Sequence, residues 1–92
     1  MNRTSVIYDV AQKTDLPFVQ AERVVNTFLD TIAQGLANGE RVTITGFGTF
    51  EVRKRKARVG RIPHTGESVT IPEHLTPAFI AGVGLKRVVQ GR

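Results

Sequence analysis

The sequence predicts an α+β domain with helices at both ends and antiparallel strands between them. Apolar residues recur with the helical period up to about residue 39 and then alternate with the period of a strand. The segment 53–66, which reads RKRKARVGRIPHTG, follows those strands and is strongly basic. A chain of 92 residues has room for one domain, which we expect to span residues 1–92.

The first helix is expected to begin at Asn2 or Thr4, both of which are good helix caps. Its apolar residues share one helical face and are Val6, Ile7, Val10 and Ala11. Arg3 falls in the first turn, where the helix dipole favours an anion instead. A phosphate contact and an exposed cation without a ligand are both open interpretations of Arg3.

A longer second helix is predicted from Pro17 to the breakers Asn38 and Gly39. Its continuous apolar stripe consists of Ala21, Val24, Val25, Phe28, Leu29, Ile32, Ala33 and Leu36. The short first helix cannot cover so wide a stripe. We therefore expect part of it, including Phe28, to meet a second subunit, with residues 1–39 as a helical dimerisation base.

Alternating residues then predict a hairpin. Val42 and Ile44 form its first strand, Gly46-Phe47-Gly48 turn the chain, and Phe50 and Val52 continue the alternation. The two glycines suggest a tight turn that places Phe47 in the core. A phosphate-binding glycine loop would need a third glycine and a following helix, which this segment lacks.

The basic segment follows directly. It has six basic and no acidic side chains, a local charge of +6 in a chain of net charge +5. The six are Arg53, Lys54, Arg55, Lys56, Arg58 and Arg61. In an extended strand they lie on both faces, so neither face can be buried. The segment should project from the domain, and a densely charged polyanion is its natural partner.

The chain is expected to reverse at Pro63, in the second position of a type I turn, with Gly66 in a left-handed conformation. Residues 53–71 are therefore predicted to form a two-stranded arm with Pro63 at its tip. An isolated ribbon is marginal in water, so we expect it to be mobile in the free protein. Pro63 suits either shaping the turn or insertion between base pairs.

A short last helix is predicted over Gly82 to Gln90, within a C-terminal segment of about residues 80–90, with Leu85, Val88 and Val89 facing inward. Lys86 near its end complements the helix dipole, which accounts for it without a ligand.

Composition argues against other classes of protein. There is no cysteine, and the two histidines, His64 and His74, have no nucleophile or metal-ligand spacing around them. We therefore expect no enzyme, no metal and no cofactor, and we interpret His64 as a solvent-exposed bystander. The N-terminus lacks the apolar run of a signal peptide, and no run reaches membrane-spanning length. A cytoplasmic protein without a membrane partner is expected.

Several motifs follow one another along the chain, and they are Gly46-Phe47-Gly48-Thr49-Phe50, Arg58, Gly60-Arg61, Pro63, Thr65-Gly66-Glu67 and Pro77-Ala78-Phe79. Together they resemble the bacterial histone-like HU and integration host factor family. The N-terminal MNRT and the lengths between motifs also match, so the resemblance covers essentially the whole chain. Ile80 and Val83 stand where many members carry lysine, which implies weaker contacts between the body and flanking DNA.

The resemblance implies an intertwined dimer with a helical base, a three-stranded antiparallel sheet and a protruding two-stranded β-ribbon arm, sheet and arm together spanning about residues 41–76. Two arms would hold the minor groove of a DNA duplex, where insertion of apolar wedges is a known property of this family. By position, Arg53, Arg55, Arg58 and Arg61 would contact DNA, with Pro63 as the intercalating tip. Lys54, Lys56, Arg3 and Lys86 complete the candidate DNA contacts, and Phe47, Phe50 and Phe79 join Phe28 in the dimer core.

The expected function is that of a nucleoid-associated, largely non-specific double-stranded DNA-binding protein that bends and compacts DNA. It would prefer bent, nicked or flexible duplex, where deformation costs less. A site-specific bender like integration host factor is one alternative, although the minor groove offers only a degenerate code. A general polyanion or single-stranded RNA binder is another, although the arm lacks aromatic residues for base stacking. A homodimer is expected, and a heterodimer with a paralogue stays open.

Overall fold

A computed structural model describes residues 1–91 of the chain. Its helices are α1 (Arg3–Thr14), α2 (Phe18–Ala37) and α3 (Val83–Gln90). Its strands are β1 (Val42–Ile44), β2 (Gly48–Arg55), β3 (Arg58–Arg61), β4 (Ser68–Ile71) and β5 (His74–Ala81). This order confirms the predicted α+β class. The last residue of the expected domain, residue 92, lies outside the described residues.

The chain divides into two compact units, Met1–Gly35 and the residues from Leu36 onward. The boundary falls within α2. The first unit contains the two N-terminal helices, and the second contains all the strands and α3.

Asn2 caps α1, which settles the choice between Asn2 and Thr4. The Asn2 side chain accepts a hydrogen bond of 2.9 Å from the Ser5 backbone N–H, and the Ser5 hydroxyl accepts one of 2.8 Å from the Asn2 N–H. This reciprocal arrangement satisfies two backbone donors that the helix itself leaves unpaired. Further along α1, Lys13 and Asp9 form an ion pair of 2.9 Å at the expected i, i+4 spacing.

The second helix begins one residue later than predicted. Pro17 precedes it, and the Pro17 carbonyl accepts hydrogen bonds from the N–H groups of Gln20 and Ala21. The predicted end is confirmed, because α2 stops at Ala37 and Gly39 has a φ of 79°.

One chain leaves much of the apolar stripe of α2 uncovered. Among the apolar residues that the structure describes, only Ile7, Ala21 and Ile32 are buried. Phe28 keeps 52% of its surface exposed and Val24 keeps 56%. An open apolar groove of about 430 Å³ runs along the two helices of the first unit, lined by Arg3, Val6, Val10, Val24, Val25, Phe28 and Leu29.

The second unit contains an antiparallel three-stranded sheet in the order β1-β2-β5. The predicted hairpin is confirmed: Val42 pairs with Phe50 and Ile44 with Gly48, and Gly46 adopts a φ of 84° in the turn. Because β5 is an edge strand, it can contain Pro77, which has no backbone N–H to donate.

The C-terminal helix begins at Val83, directly after its cap Gly82, which agrees with the expected span 82–90 and lies three residues after the looser bound near residue 80. Pairing of β5 with β2 continues to Ala81, opposite Gly48, and keeps this part of the chain extended. The Gly82 N–H then donates to the Phe47 carbonyl at 2.8 Å, and the Leu85 N–H donates to the Gly46 carbonyl at 3.0 Å. The hairpin turn thus fixes the place where α3 begins.

Two predictions about buried side chains are wrong for a single chain. Phe47 is 48% exposed although its ring lies 5.7 Å from that of Phe79, measured between centroids. Val88 and Val89 of α3 are each 78% exposed and do not face inward, whereas Leu85 is half-buried. Helical periodicity identifies an apolar face, but it does not say whether the same chain covers that face.

Gly48→Ala is predicted to lower the free energy of unfolding by about 1–3 kcal/mol, because the added methyl group would overpack the site. A Cβ at this position would overlap the Phe79 ring and lie 2.6 Å from the Ile80 carbonyl oxygen. Gly60→Ala is the matched control, since its Cβ would meet Ile71 at an ordinary 3.4 Å. Denaturant unfolding at equal protein concentration compares the two, and equal stabilities would contradict the close packing of Gly48.

Candidate nucleic-acid interface

The basic segment lies on a two-stranded ribbon that has two consecutive parts. In the first, the end of β2 pairs with the start of β5, with Arg53 opposite Thr76 and Arg55 opposite His74. In the second, β3 pairs with β4, from Arg58 opposite Ile71 to Arg61 opposite Ser68. The ribbon therefore runs from residue 53 to residue 76, and we call it the arm.

The predicted arm, residues 53–71, is five residues too short in its returning strand. The ladder is interrupted at residues 56–57 and 72–73, and β5 resumes it at His74. Pro72 falls in this interruption, where its missing N–H breaks no pairing.

The tip of the arm is a wider turn than predicted. The Gly66 N–H donates to the Ile62 carbonyl at 2.8 Å, which closes a loop of five residues where a type I turn would close four. One step closer to the base of the arm, the Ile62 N–H donates a hydrogen bond of 2.9 Å to the Glu67 carbonyl. Gly66 has the predicted left-handed conformation, with a φ of 74°. Pro63 is exposed within this loop.

All six basic side chains of the arm are exposed, as the two-sided charge pattern predicted. Two of them have acidic partners among the described residues: Arg53 lies 3.6 Å from a Glu51 carboxylate oxygen, and Lys54 lies 3.2 Å from one of Glu73. The four others have no ion pair with any residue in the described range 1–91, and they are Arg55, Lys56, Arg58 and Arg61. The uncompensated positive charge therefore begins at Arg55, and three of these four cations lie around the interruption of the ladder.

The interruption between the two parts of the arm forms a basic recess of about 290 Å³. Its lining consists of Arg55, Lys56, Arg58 and His74. Sequence reasoning assigned no role to His74, because its position opposite Arg55 follows only from the register of β2 and β5.

The remaining candidate contacts do not lie on the arm. Arg3 is exposed in α1, and its guanidinium donates a long hydrogen bond of 3.5 Å to the Asn26 side chain. Lys86 is exposed in α3.

The four phenylalanines assigned to the dimer core fall into two groups. Phe79 lies between Phe47 and Phe50, with ring centroids 5.7 Å and 4.7 Å away. Phe28 lines the groove of the first unit.

Within residues 1–91, no group of three or more His, Asp or Glu side chains is placed to hold a metal ion. No helix in the described part of the chain is long and apolar enough to span a bilayer.

Comparison with known proteins assigns the family. A family model described as bacterial DNA-binding protein matches residues 1–90. DNA-binding protein HU-1 of Halalkalibacterium halodurans is 50% identical, over 98% of this chain and all of that protein. DNA-binding protein HU 1 of Bacillus subtilis is 45% identical over the whole of both chains. The chain therefore belongs to the bacterial DNA-binding protein family, and its similarity within it is to HU proteins.

Solved structures agree with this assignment. The chain matches an Anabaena HU–DNA cocrystal structure with a TM-score of 0.92 and 40% identity, covering all of both chains. It matches HU from Thermotoga maritima with a TM-score of 0.68 and 30% identity, over 97% of this chain and 98% of that one. The fold is that of HU, with three helices, an antiparallel sheet and a β-ribbon arm.

Proposed function

We propose that this protein is an HU-type architectural protein that binds double-stranded DNA largely without sequence preference, and bends and compacts it. The observation that carries the proposal is the arm, where six basic side chains are exposed and four have no ion pair within residues 1–91. Relatives named DNA-binding protein HU and the similarity to an HU–DNA cocrystal structure support it. We place the protein with nucleoid DNA in the cytoplasm.

The working unit we propose is a homodimer. A single chain leaves Phe28, Phe47 and Phe79 about half exposed, at 52%, 48% and 42%. Surfaces of this kind are typical of subunit interfaces, where a partner supplies the missing core. A second copy of the chain would cover them, with Phe28, Phe47, Phe50 and Phe79 as the dimer core. Two copies would also supply two arms for one duplex.

Affinity would come mainly from the phosphate backbone. Each lysine or arginine that neutralises a phosphate releases condensed counterions, which gives binding that ignores sequence and weakens with salt. The contacts we propose from the arm are Arg53, Lys54, Arg55, Lys56, Arg58 and Arg61. Arg3 and Lys86 are proposed as contacts from outside the arm, because both are exposed cations.

Bending would depend on the tip. Pro63 is apolar, rigid and exposed, and its surroundings hold it in a loop closed by hydrogen bonds. Wedging of apolar side chains between base steps is the known mechanism of this family, and we assign that role here to Pro63. The minor groove carries little sequence information, so sequence preference would come from how easily the DNA deforms.

A single-stranded RNA binder fits the arm less well. Proteins of that kind present aromatic side chains on which bases stack. The exposed apolar side chains of the arm are aliphatic, with Val59 at 70% and Leu75 at 71% exposure. DNA binding and bending also need no catalytic group, metal or cofactor.

Pro63→Ala is predicted to abolish most DNA bending while sparing much of the affinity, because phosphate contacts supply most of the binding free energy. Pro63→Leu is the matched variant: leucine is also an apolar wedge, so it should still bend DNA. Energy transfer between dyes at the two ends of a short duplex measures the bend. If both variants fail to bend DNA, Pro63 shapes the turn instead of acting as the wedge.

Replacing Arg55 and Arg58 with alanine is predicted to flatten the dependence of log affinity on log salt by about 0.9 for each lost phosphate contact. The control replaces Lys13 and Arg41, which removes the same charge from side chains that have acidic partners at 2.9 Å and 3.7 Å. Fluorescence anisotropy over a salt series gives both slopes. Equal slopes for the two double variants would show that net charge alone matters.

A further inference from the structure

We propose that Asn38-Gly39, directly after α2, is a site of spontaneous chemical modification, where Asn38 loses its side-chain amide nitrogen and becomes aspartate or isoaspartate. The reaction needs only water. Neither the arm nor DNA takes part in it, so the inference goes beyond the proposed function and does not depend on it. Asparagine is a thermolabile residue, and the structure distinguishes Asn38 from the two other asparagines of the chain, Asn2 and Asn26.

The side chains of the two other asparagines are held by hydrogen bonds. The Asn2 side chain accepts one of 2.9 Å from the Ser5 N–H at the start of α1, and the Asn26 side chain accepts one of 3.5 Å from the Arg3 guanidinium. Asn38 is exposed, and its side chain forms no hydrogen bond with any residue in the range 1–91. Its amide is therefore free to rotate towards the main chain.

The residue after Asn38 provides the nucleophile. Its main-chain nitrogen has to reach the side-chain carbonyl carbon of Asn38, and a side chain on that residue would hinder the approach. Gly39 has no side chain, and no atom lies within 4 Å of the place where a Cβ would stand. The two other asparagines are followed by Arg3 and Thr27, which carry side chains and lie within helices. Only the Asn38 site thus combines a free amide with an unhindered nitrogen.

The reaction has two steps. First, the Gly39 nitrogen forms a bond with the side-chain carbonyl carbon of Asn38, the bond from that carbon to the amide nitrogen breaks, and ammonia leaves with the proton of the Gly39 N–H. Water then opens the cyclic succinimide. Opening at the side-chain carbonyl gives aspartate, whereas opening at the main-chain carbonyl gives isoaspartate, in which the main chain runs through the former side chain. Neither step oxidises or reduces an atom.

The end of α2 sets the rate of this reaction. The Gly39 N–H donates a hydrogen bond of 3.0 Å to the Leu36 carbonyl, and this bond has to open before the nitrogen can attack. It belongs to the last turn of a helix, and helix ends fray. The folded protein should therefore react roughly fivefold more slowly than the unfolded chain, which is the net effect of one backbone hydrogen bond.

The products differ from the parent in charge and in main-chain connectivity. A carboxylate in place of the amide lowers the net charge of +5 by one. The new charge lies after the C-terminus of α2, where the helix dipole favours a cation, and beside the exposed Glu40. Because residues 37–41 are all exposed, the isoaspartate form is accessible to an enzyme. The partner that its chemistry selects is a carboxyl methyltransferase that recognises isoaspartate.

The test stores the full-length protein in mildly alkaline buffer and maps its peptides by mass spectrometry. The peptide with Asn38 should gain the mass difference between an amide and a carboxyl group, whereas the peptides with Asn2 and Asn26 should not. In urea, the same change at Asn38 should be about fivefold faster. A purified isoaspartate-specific carboxyl methyltransferase with a labelled methyl donor should then label the stored protein.

Asn38→Gln is the matched control. It keeps an amide at this exposed position, but the extra methylene group places the carbonyl carbon too far along the side chain to form the succinimide. The variant should show neither the mass gain nor the methyl label under the same storage. Denaturant unfolding of the variant and of fresh parent protein checks that both have the same fold.

The outcomes separate the site from its neighbours and from DNA binding. No mass gain at Asn38, or a gain only in urea, would overturn the site. Equal gains at Asn2, Asn26 and Asn38 would overturn the role of the free amide and of Gly39. A mass gain without the methyl label would overturn the isoaspartate and its enzyme partner. Each of these results leaves the proposed function standing, and failure to bind duplex DNA would overturn that function alone.

Discussion

The constraint on which the rest of this structure depends is that positive charge on both faces of a strand cannot be buried. Six lysine and arginine side chains in nine residues force the chain away from any apolar core, and the ribbon can only project into solvent. Its backbone groups then have to pair with each other, which the ladders of β2 with β5 and β3 with β4 achieve. The same exposure leaves four cations available to an external polyanion.

A different constraint applies to the rest of the protein, because a chain of this size buries too few apolar side chains to form a complete hydrophobic core by itself. Only three apolar residues are buried among those described, while the groove along α1 and α2 and the aromatic cluster around Phe79 stay open. Within the second unit, Gly48 lets the Phe79 ring lie directly against the backbone of β2. The apolar faces that are left over are the reason for proposing a dimer, and a dimer is what would give the duplex two arms.

Local sequence signals predicted most of the fold. The change of period at residue 39, the caps Asn2 and Gly39 and the hairpin at Gly46 act over a few residues, and the structure confirms them. The errors came where distant segments interact: the register of β2 with β5 extended the arm beyond Ile71 and placed His74 opposite Arg55. The charges of the candidate site were evident from composition, whereas the recess was not, because it depends on where two ladders are interrupted.

The most direct test of the central claim is energy transfer between the ends of a short labelled duplex, titrated with the protein at two salt concentrations and repeated with a nicked duplex. Bending by two basic arms predicts that transfer rises on binding, that salt weakens the rise, and that the nicked duplex binds more tightly because it costs less to deform. Binding without any change in transfer would contradict the account and leave a basic protein that coats DNA without bending it.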